Sequence, residues 1–139
     1  MGIFNGLTIN ASGLALERLK LDTISANIAN VNTNQTTDTE AYQKKSVQFS
    51  ENLKNSQNGL SSESAGVKVT GIDTDDSVKL AYDPTNEAAD ENGYVAQSNV
   101  DIADEMVQMI QTVRTYEANV SASEMNKTIL KKALEISKG

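Results

Sequence analysis

The sequence has no cysteine, no histidine and no tryptophan, and a single proline among its 139 residues. Without thiols or imidazoles it can form no disulfide, no thiolate zinc site, no His-ligated metal, and no nucleophile or base arrangement that runs through those groups. Basic residues are few. Twelve Lys and Arg against 19 Asp and Glu leave a formal charge of -7, with no basic stripe of the kind that holds nucleic acid phosphates. Aromatics make up 4% and hydrophobics 38%, too little for a broad three-dimensional core, so the composition favours an elongated shape. No apolar run approaches the roughly 18 residues of a membrane span. The start, Met1-Gly2-Ile3-Phe4-Asn5-Gly6, has neither the basic segment of a signal peptide nor the Ser or Thr at position six that myristoylation requires, so any export takes another route.

What the chain does have is helical periodicity at both ends. Ile102, Met106, Met109, Val113, Tyr116, Val120, Ser123, Lys127, Leu130 and Leu134 step by four and three alternately, which keeps one seam facing a partner helix. Asp101 and Asp104 suit the start of that helix, and Lys131, Lys132 and Lys138 suit its end. A helix from Asp101 to about Lys138 would be roughly 55 Å long. Such a rod cannot cover its own seam. Ser123 and Lys127 interrupt it, as register-setting polar residues or as the level at which the seam opens.

In the first thirty residues, Leu7, Leu14, Leu21 and Ile28 recur every seven, with Ala11 and Ile24 between them, while Ile9, Leu16 and Leu19 widen the apolar face. Glu17 and Arg18 break a strict heptad. The Asn-rich run from Asn27 to Asn34 should end this helix.

The middle is expected to be loop from Gln35 to Gly66, with at most a short strand around Val47 and Phe49, and a mobile Ser- and Asn-rich stretch over Asn55–Ser64. A hairpin is expected next, Val67 and Val69 pairing with Val78, Leu80 and Tyr82 across the turn Asp73-Thr74-Asp75-Asp76, with Gly71 a bulge site. Asp83-Pro84 ends the second strand, and Asn92-Gly93 makes another turn. The fold class is therefore mainly α with a small β element. The terminal helices pair as a coiled coil, and the segments divide at 1–33, 34–100 and 101–139.

No catalytic, cofactor or metal residues emerge. The acids between Asp73 and Glu91 fail an EF-hand register at both decisive positions and read as solvated turns. Glycoside chemistry would need an aromatic-lined cleft. Met106 and Met109 read as packing residues, and the Asn-x-Ser/Thr triplets at Asn10, Asn34, Asn119 and Asn126 are explained by composition.

Two motifs at the chain's extremes carry a resemblance. Ser12-Gly13-Leu14, Leu19 and the run Ile24-Ser25-Ala26-Asn27-Ile28-Ala29-Asn30-Val31-Asn32-Thr33, together with Asn99-Val100-Asp101, Glu105-Met106, Met109-Ile110 and Arg114-Thr115-Tyr116-Glu117-Ala118-Asn119, resemble the two signatures of the rod, hook and hook-filament junction family of the bacterial flagellum. Tyr42-Gln43-Lys44-Lys45, Gly66-Val67-Lys68-Val69 and Tyr82-Asp83-Pro84 are similar to its proximal-rod members. Asn34-Gln35-Thr36-Thr37 stands where many relatives carry Pro-Gly-Tyr, and Tyr42 comes several residues late.

The resemblance implies a non-enzymatic structural subunit, in a hollow rod that crosses the periplasm, passes export substrates and transmits torque. It implies partners among copies of itself, other rod proteins and the type III export apparatus, with export free of signal cleavage. It also marks Ser12, Gly13, Asn27, Asn30, Thr33, Tyr116, Glu117 and Asn119 as motif residues. Helix packing within and between subunits is then expected at Leu7, Ala11, Leu14, Leu21, Ile24, Ile28, Ile102, Met106, Met109, Val113, Tyr116, Val120, Leu130 and Leu134. Read from residues alone, a soluble coiled-coil adaptor remains the other reading.

Overall fold

The computed structural model describes residues 2–55 and 62–139. Two helices, α1 (Ile3–Ala29) and α2 (Ile102–Lys138), flank four strands, β1 (Lys45–Asn55), β2 (Ser62–Thr74), β3 (Lys79–Tyr82) and β4 (Tyr94–Gln97). The fold is mainly α with a small β element, as expected. α1 ends in its Asn run: the Asn30 backbone N–H reaches the Ala26 and Asn27 carbonyls, and its side-chain amide donates to Ala26 O at 2.8 Å. Asp101 caps α2, its carboxylate accepting from the N–H groups of Ala103 and Asp104, with Asp104 and Glu105 in the first turn.

The helices run antiparallel. Asn27 meets Glu105, Gly13 faces Asn119, and Gly6 faces Asn126, so equal steps of fourteen and then seven residues along each helix keep the same faces together. That is coiled-coil stepping.

The middle differs from the expected loop and hairpin. β1 and β2 form one long antiparallel hairpin in which Val47 opposes Ile72 and Phe49 opposes Val69. β3 pairs with β4, not with β2. Two register shifts interrupt the long hairpin; at one of them Gln48 opposes Gly71 and Phe49 opposes Val69, leaving Thr70 as the extra residue beside the expected bulge glycine. Of the stretch Asn55–Ser64, residues 56–61 lie outside the described part, and its ends belong to the paired strands.

β1 forms despite its polar composition because it has two surfaces to lie on, β2 and α1. The hairpin runs the length of α1. Asn27 bonds the backbone of Lys45, the Lys20 ammonium sits 4.6 Å from the Phe49 ring centroid, Ser12 accepts from the Val67 N–H, and Asn5 donates to Ser64 O. Gly66, at φ +96°, allows β2 to cross α1 closely, since a Cβ there would overlap the Ser12 hydroxyl and lie 3.2 Å from Ile9 Cα. Among the described residues α2 packs on α1 and on no strand. The element in the middle is thus α1, covered by α2 on one side and the hairpin on another.

The segment after α1 folds back as a closed detour. Tyr42 N–H donates to Thr33 O at 2.9 Å, Thr36 and Thr39 bond each other across a turn, and Gln35 pairs with Ala96 on the open edge of β4. The residues between Thr33 and Tyr42 loop out there, and Tyr42 stays bonded at the helix end.

Candidate functional site

The inner seam is built from small and polar residues. Glu105, Met109, Thr112, Tyr116, Asn119, Ser123, Asn126 and Leu130 are the buried and half-buried positions that recur by four and three along α2. Four expected seam residues are among them: Met109, Tyr116, Ser123 and Leu130. The alternate positions lie one residue earlier than Met106, Val113, Val120 and Lys127. The reason is close approach. A Cβ on Gly13 would come 2.9 Å from the Asn119 amide nitrogen and one on Gly6 3.1 Å from that of Asn126, so the helices touch where only glycine fits against a short side chain.

The seam ends in a buried polar cluster where four segments meet. Asn27 and Glu105 are both fully buried. The Asn27 amide donates to Glu105 Oε2 at 3.1 Å and to Lys45 O at 2.8 Å, while its carbonyl oxygen accepts from Lys45 N–H and from the Tyr42 hydroxyl, each at 3.0 Å. Glu105 Oε1, which no hydrogen bond of good angle reaches, lies 2.9 Å from the Lys44 ammonium. A buried carboxylate needs such a partner. Burial, and then the charge of Glu105, raise the Tyr42 hydroxyl above its ordinary pKa of 10.0. Asn99 adds a bridge, accepting from Lys44 N–H at 2.7 Å and donating to Asp75 O and Ser77 O.

The expected packing residues sort into two sets. Ile24 is buried, and Leu7, Leu14, Leu21, Ile28, Met109, Tyr116 and Leu130 are half-buried around the helix pair. Ala11 is exposed and lines a shallow hollow with Leu14 and Tyr116. Ile102, Met106, Val113, Val120 and Leu134 are exposed, Met106 at 52% but Val113 and Val120 at only 37% and 38%; Met106, Val113 and Val120 each lie one residue on from a seam position and so flank the seam, and Val107 and Ile110 broaden this stripe away from it. Lys127, also outside the seam, pairs with Glu124 at 3.1 Å in solvent.

Motif residues take definite parts. Ser12 holds β2, Gly13 and Asn119 set the helix spacing, and Asn27 anchors the polar cluster. Asn30 accepts from the Thr33 hydroxyl at the helix end, and Glu117 pairs with Arg114 in solvent. Sequence reasoning missed Glu105, Gly6 and Asn126 as seam residues and the roles of Tyr42, Lys44 and Lys45. The seven-residue spacing shared by Gly6 and Gly13 and by Asn119 and Asn126 was the available signal.

Acids in the middle turn on themselves: Asp75, Asp83 and Asp90 each accept from a backbone N–H two residues on. The Ser77 N–H bond is the main cause holding Asp75 below its ordinary pKa. Among the described residues no group of three or more Asp or Glu is placed to hold a metal, and no helix is long and apolar enough to cross a membrane. A polar cavity of about 350 Å³ lies between Lys20, Lys45, Gln108 and Thr112.

Known proteins resemble the chain at both ends and throughout. Residues 7–34 match the family model described as flagella basal body rod protein, and residues 91–136 the model described as flagellar basal body rod FlgEFG protein C-terminal. The flagellar basal-body rod protein FlgC of Bacillus subtilis (strain 168) is 38% identical over 150 residues, covering 99% of this chain and 100% of the relative. FlgC of Aquifex aeolicus (strain VF5) is 37% identical, with 97% of each chain covered, and FlgC of Salmonella typhimurium (strain LT2) 33%, with 98% of each.

Proposed function

Because this chain belongs to the flagellar basal-body rod protein family, we propose that it polymerises through its terminal helices, beside other rod proteins, into the proximal rod. It is a structural subunit of the flagellum and not an enzyme. Its place is the basal body, assembled with other rod and basal-body components. In this reading the rod crosses the periplasm as a hollow drive shaft, the subunit reaches it unfolded through the type III export apparatus, and copies of the chain are among its neighbours.

One observation carries the reading: the apolar stripe Met106, Val113 and Val120, with Val107 and Ile110 beside it, stays exposed on α2 among the described residues. With about 25 cal/mol per Å² of apolar area buried, several such side chains contribute a few kcal/mol to each contact, less the cost of ordering the partners. Torque then passes through many parallel contacts. Val113→Asp tests this. The variant should keep the helix content and unfolding midpoint of the parent monomer while motility and recovery in purified basal bodies are lost; normal motility would overturn the proposal.

A further inference from the structure

Among the described residues, two further exposed apolar surfaces lie at opposite ends of the molecule. At one end, the β3–β4 sheet turns Ala81 and the buried Val95 inward. Alternation places Leu80 and Tyr82 on its other face, with Val78 in line before them and Tyr94 opposite Tyr82, their rings edge to face at 5.4 Å. All four are exposed, Val78 at 64%. A groove of about 290 Å³ runs beside them, lined by Val78, Ala96 and Ala41 together with Glu40, Ser77 and three glutamines. Glu40 lines the groove itself, and the segments that flank and connect these strands are acidic, residues 73–91 holding seven Asp and Glu and one Lys.

At the other end α2 outruns its partner. α1 begins at Ile3, and Gly6 lies against Asn126. Residues Lys131 to Lys138 therefore continue past it, all of them exposed. Ile129, Lys132 and Ile136 share a face by three- and four-residue spacing, and Ile136 is 80% exposed. Lys131, Lys132 and Lys138 against Glu135 make this tail basic, and Lys132 pairs with Glu135 only in solvent, at 3.3 Å.

We propose that the tail of α2 in one copy docks on the outer face of the β3–β4 sheet in a second copy. Ile136 enters the groove beside Val78 and Ala96, and Lys132 faces Glu40. This rests on the reading of the chain as a polymerising rod subunit and names one of its contacts. Charge selects the occupant, because an acidic apolar face rejects its own kind and accepts a basic apolar helix end. Geometry makes the contact intermolecular. β4 leads into the start of α2, so a helix of about 55 Å separates head from tail. A patch that meets a different patch on the next copy is heterologous and repeats without closing on a pair.

The chain's lack of cysteine makes crosslinking a clean test. Full-length Val78→Cys and Ile136→Cys variants, mixed and oxidised, should give a mixed Val78–Ile136 disulfide in excess of either homodimer, and the double variant a ladder. Lys132→Glu should slow linking at least tenfold, and Glu40→Lys added on the opposite partner should restore it. No Val78–Ile136 product, in a preparation that sedimentation shows to be oligomeric, would overturn this contact and leave the rod reading standing. No product and monomer alone in sedimentation would overturn both. Photo-crosslinking of a different rod component through a benzophenone maleimide attached to Ile136→Cys in purified basal bodies, with no two-chain product of this protein, would also overturn it.

Discussion

Asn27 donates to Glu105 across the helix pair at 3.1 Å, and neither side chain has any exposed surface. The same amide group satisfies both backbone groups of Lys45, so one side chain sets where the hairpin starts and which residue of α2 lies opposite. Asn27→Ala would leave several buried polar groups without partners, each costing about 1–3 kcal/mol. The expected loss is roughly 3 kcal/mol in urea unfolding followed by circular dichroism. A change under about 1 kcal/mol would mean that water or a neighbouring side chain takes over the role.

Glycine at the seam gives a second prediction. Gly13→Ala gains about 1 kcal/mol of helix propensity but forces the Asn119 amide aside, and overpacking of this kind costs about 1–3 kcal/mol. The variant should be destabilised by about 1 kcal/mol, and Asn119→Ala in the same chain should recover it. Gly71→Ala, with open space around the new Cβ, is the control for thermal unfolding. Additive effects at Gly13 and Asn119 in that double-mutant cycle would show that the two do not touch.

Tyr42 sets an alkaline limit. Its pKa is raised in the folded chain by burial and by Glu105, so its stabilising contribution is complete below the unfolded value of about 10 and is lost as pH rises through the folded value. Tyrosinate absorbance should show one hydroxyl titrating late, together with loss of structure. Tyr42→Phe should lower stability by about 1 kcal/mol at pH 7 and remove that step; an unchanged alkaline titration would reject the assignment.

Lys127 should prove indifferent. It lies in solvent with Glu124, and exposed pairs of this kind are worth about 0.5 kcal/mol or less. Lys127→Leu should leave the unfolding midpoint of the monomer within that range, whereas a residue inside the seam would respond with a gain above 1 kcal/mol.

Lys127 also shows how far the sequence could be read. The helices, their ends, the cap at Asp101 and the heptad positions Met109, Tyr116, Ser123 and Leu130 followed from local rules. Choosing the more apolar of two adjacent residues then placed Met106, Val113 and Val120 in the seam, where Glu105, Thr112 and Asn119 belong. The preference fails because a close Gly–Asn contact excludes bulky side chains, and because the greasy face is left free within one chain. The long hairpin was hidden for a related reason. Ser46, Gln48, Ser50 and Asn52 carry no strand signal of their own, and β1 is ordered by β2 and α1. The turn residues Asp73 to Asp76 were recognised, yet they lead from one sheet into another, tied down by Asn99 from far along the chain.

The contrast between the two sides of α2 has a mechanical consequence. On the α1 side, a shift of one helical turn would drive Gly13 and Asn119 out of register and strand Glu105 away from Asn27 and Lys44, so that contact has one position. The exposed stripe of Met106, Val107, Ile110, Val113 and Val120 attracts without direction, and a neighbour could move along it by a turn and find much the same surface. Under load, slip would therefore begin between molecules while each helix pair stayed whole, giving a shaft that is stiff in its units and compliant at its joints.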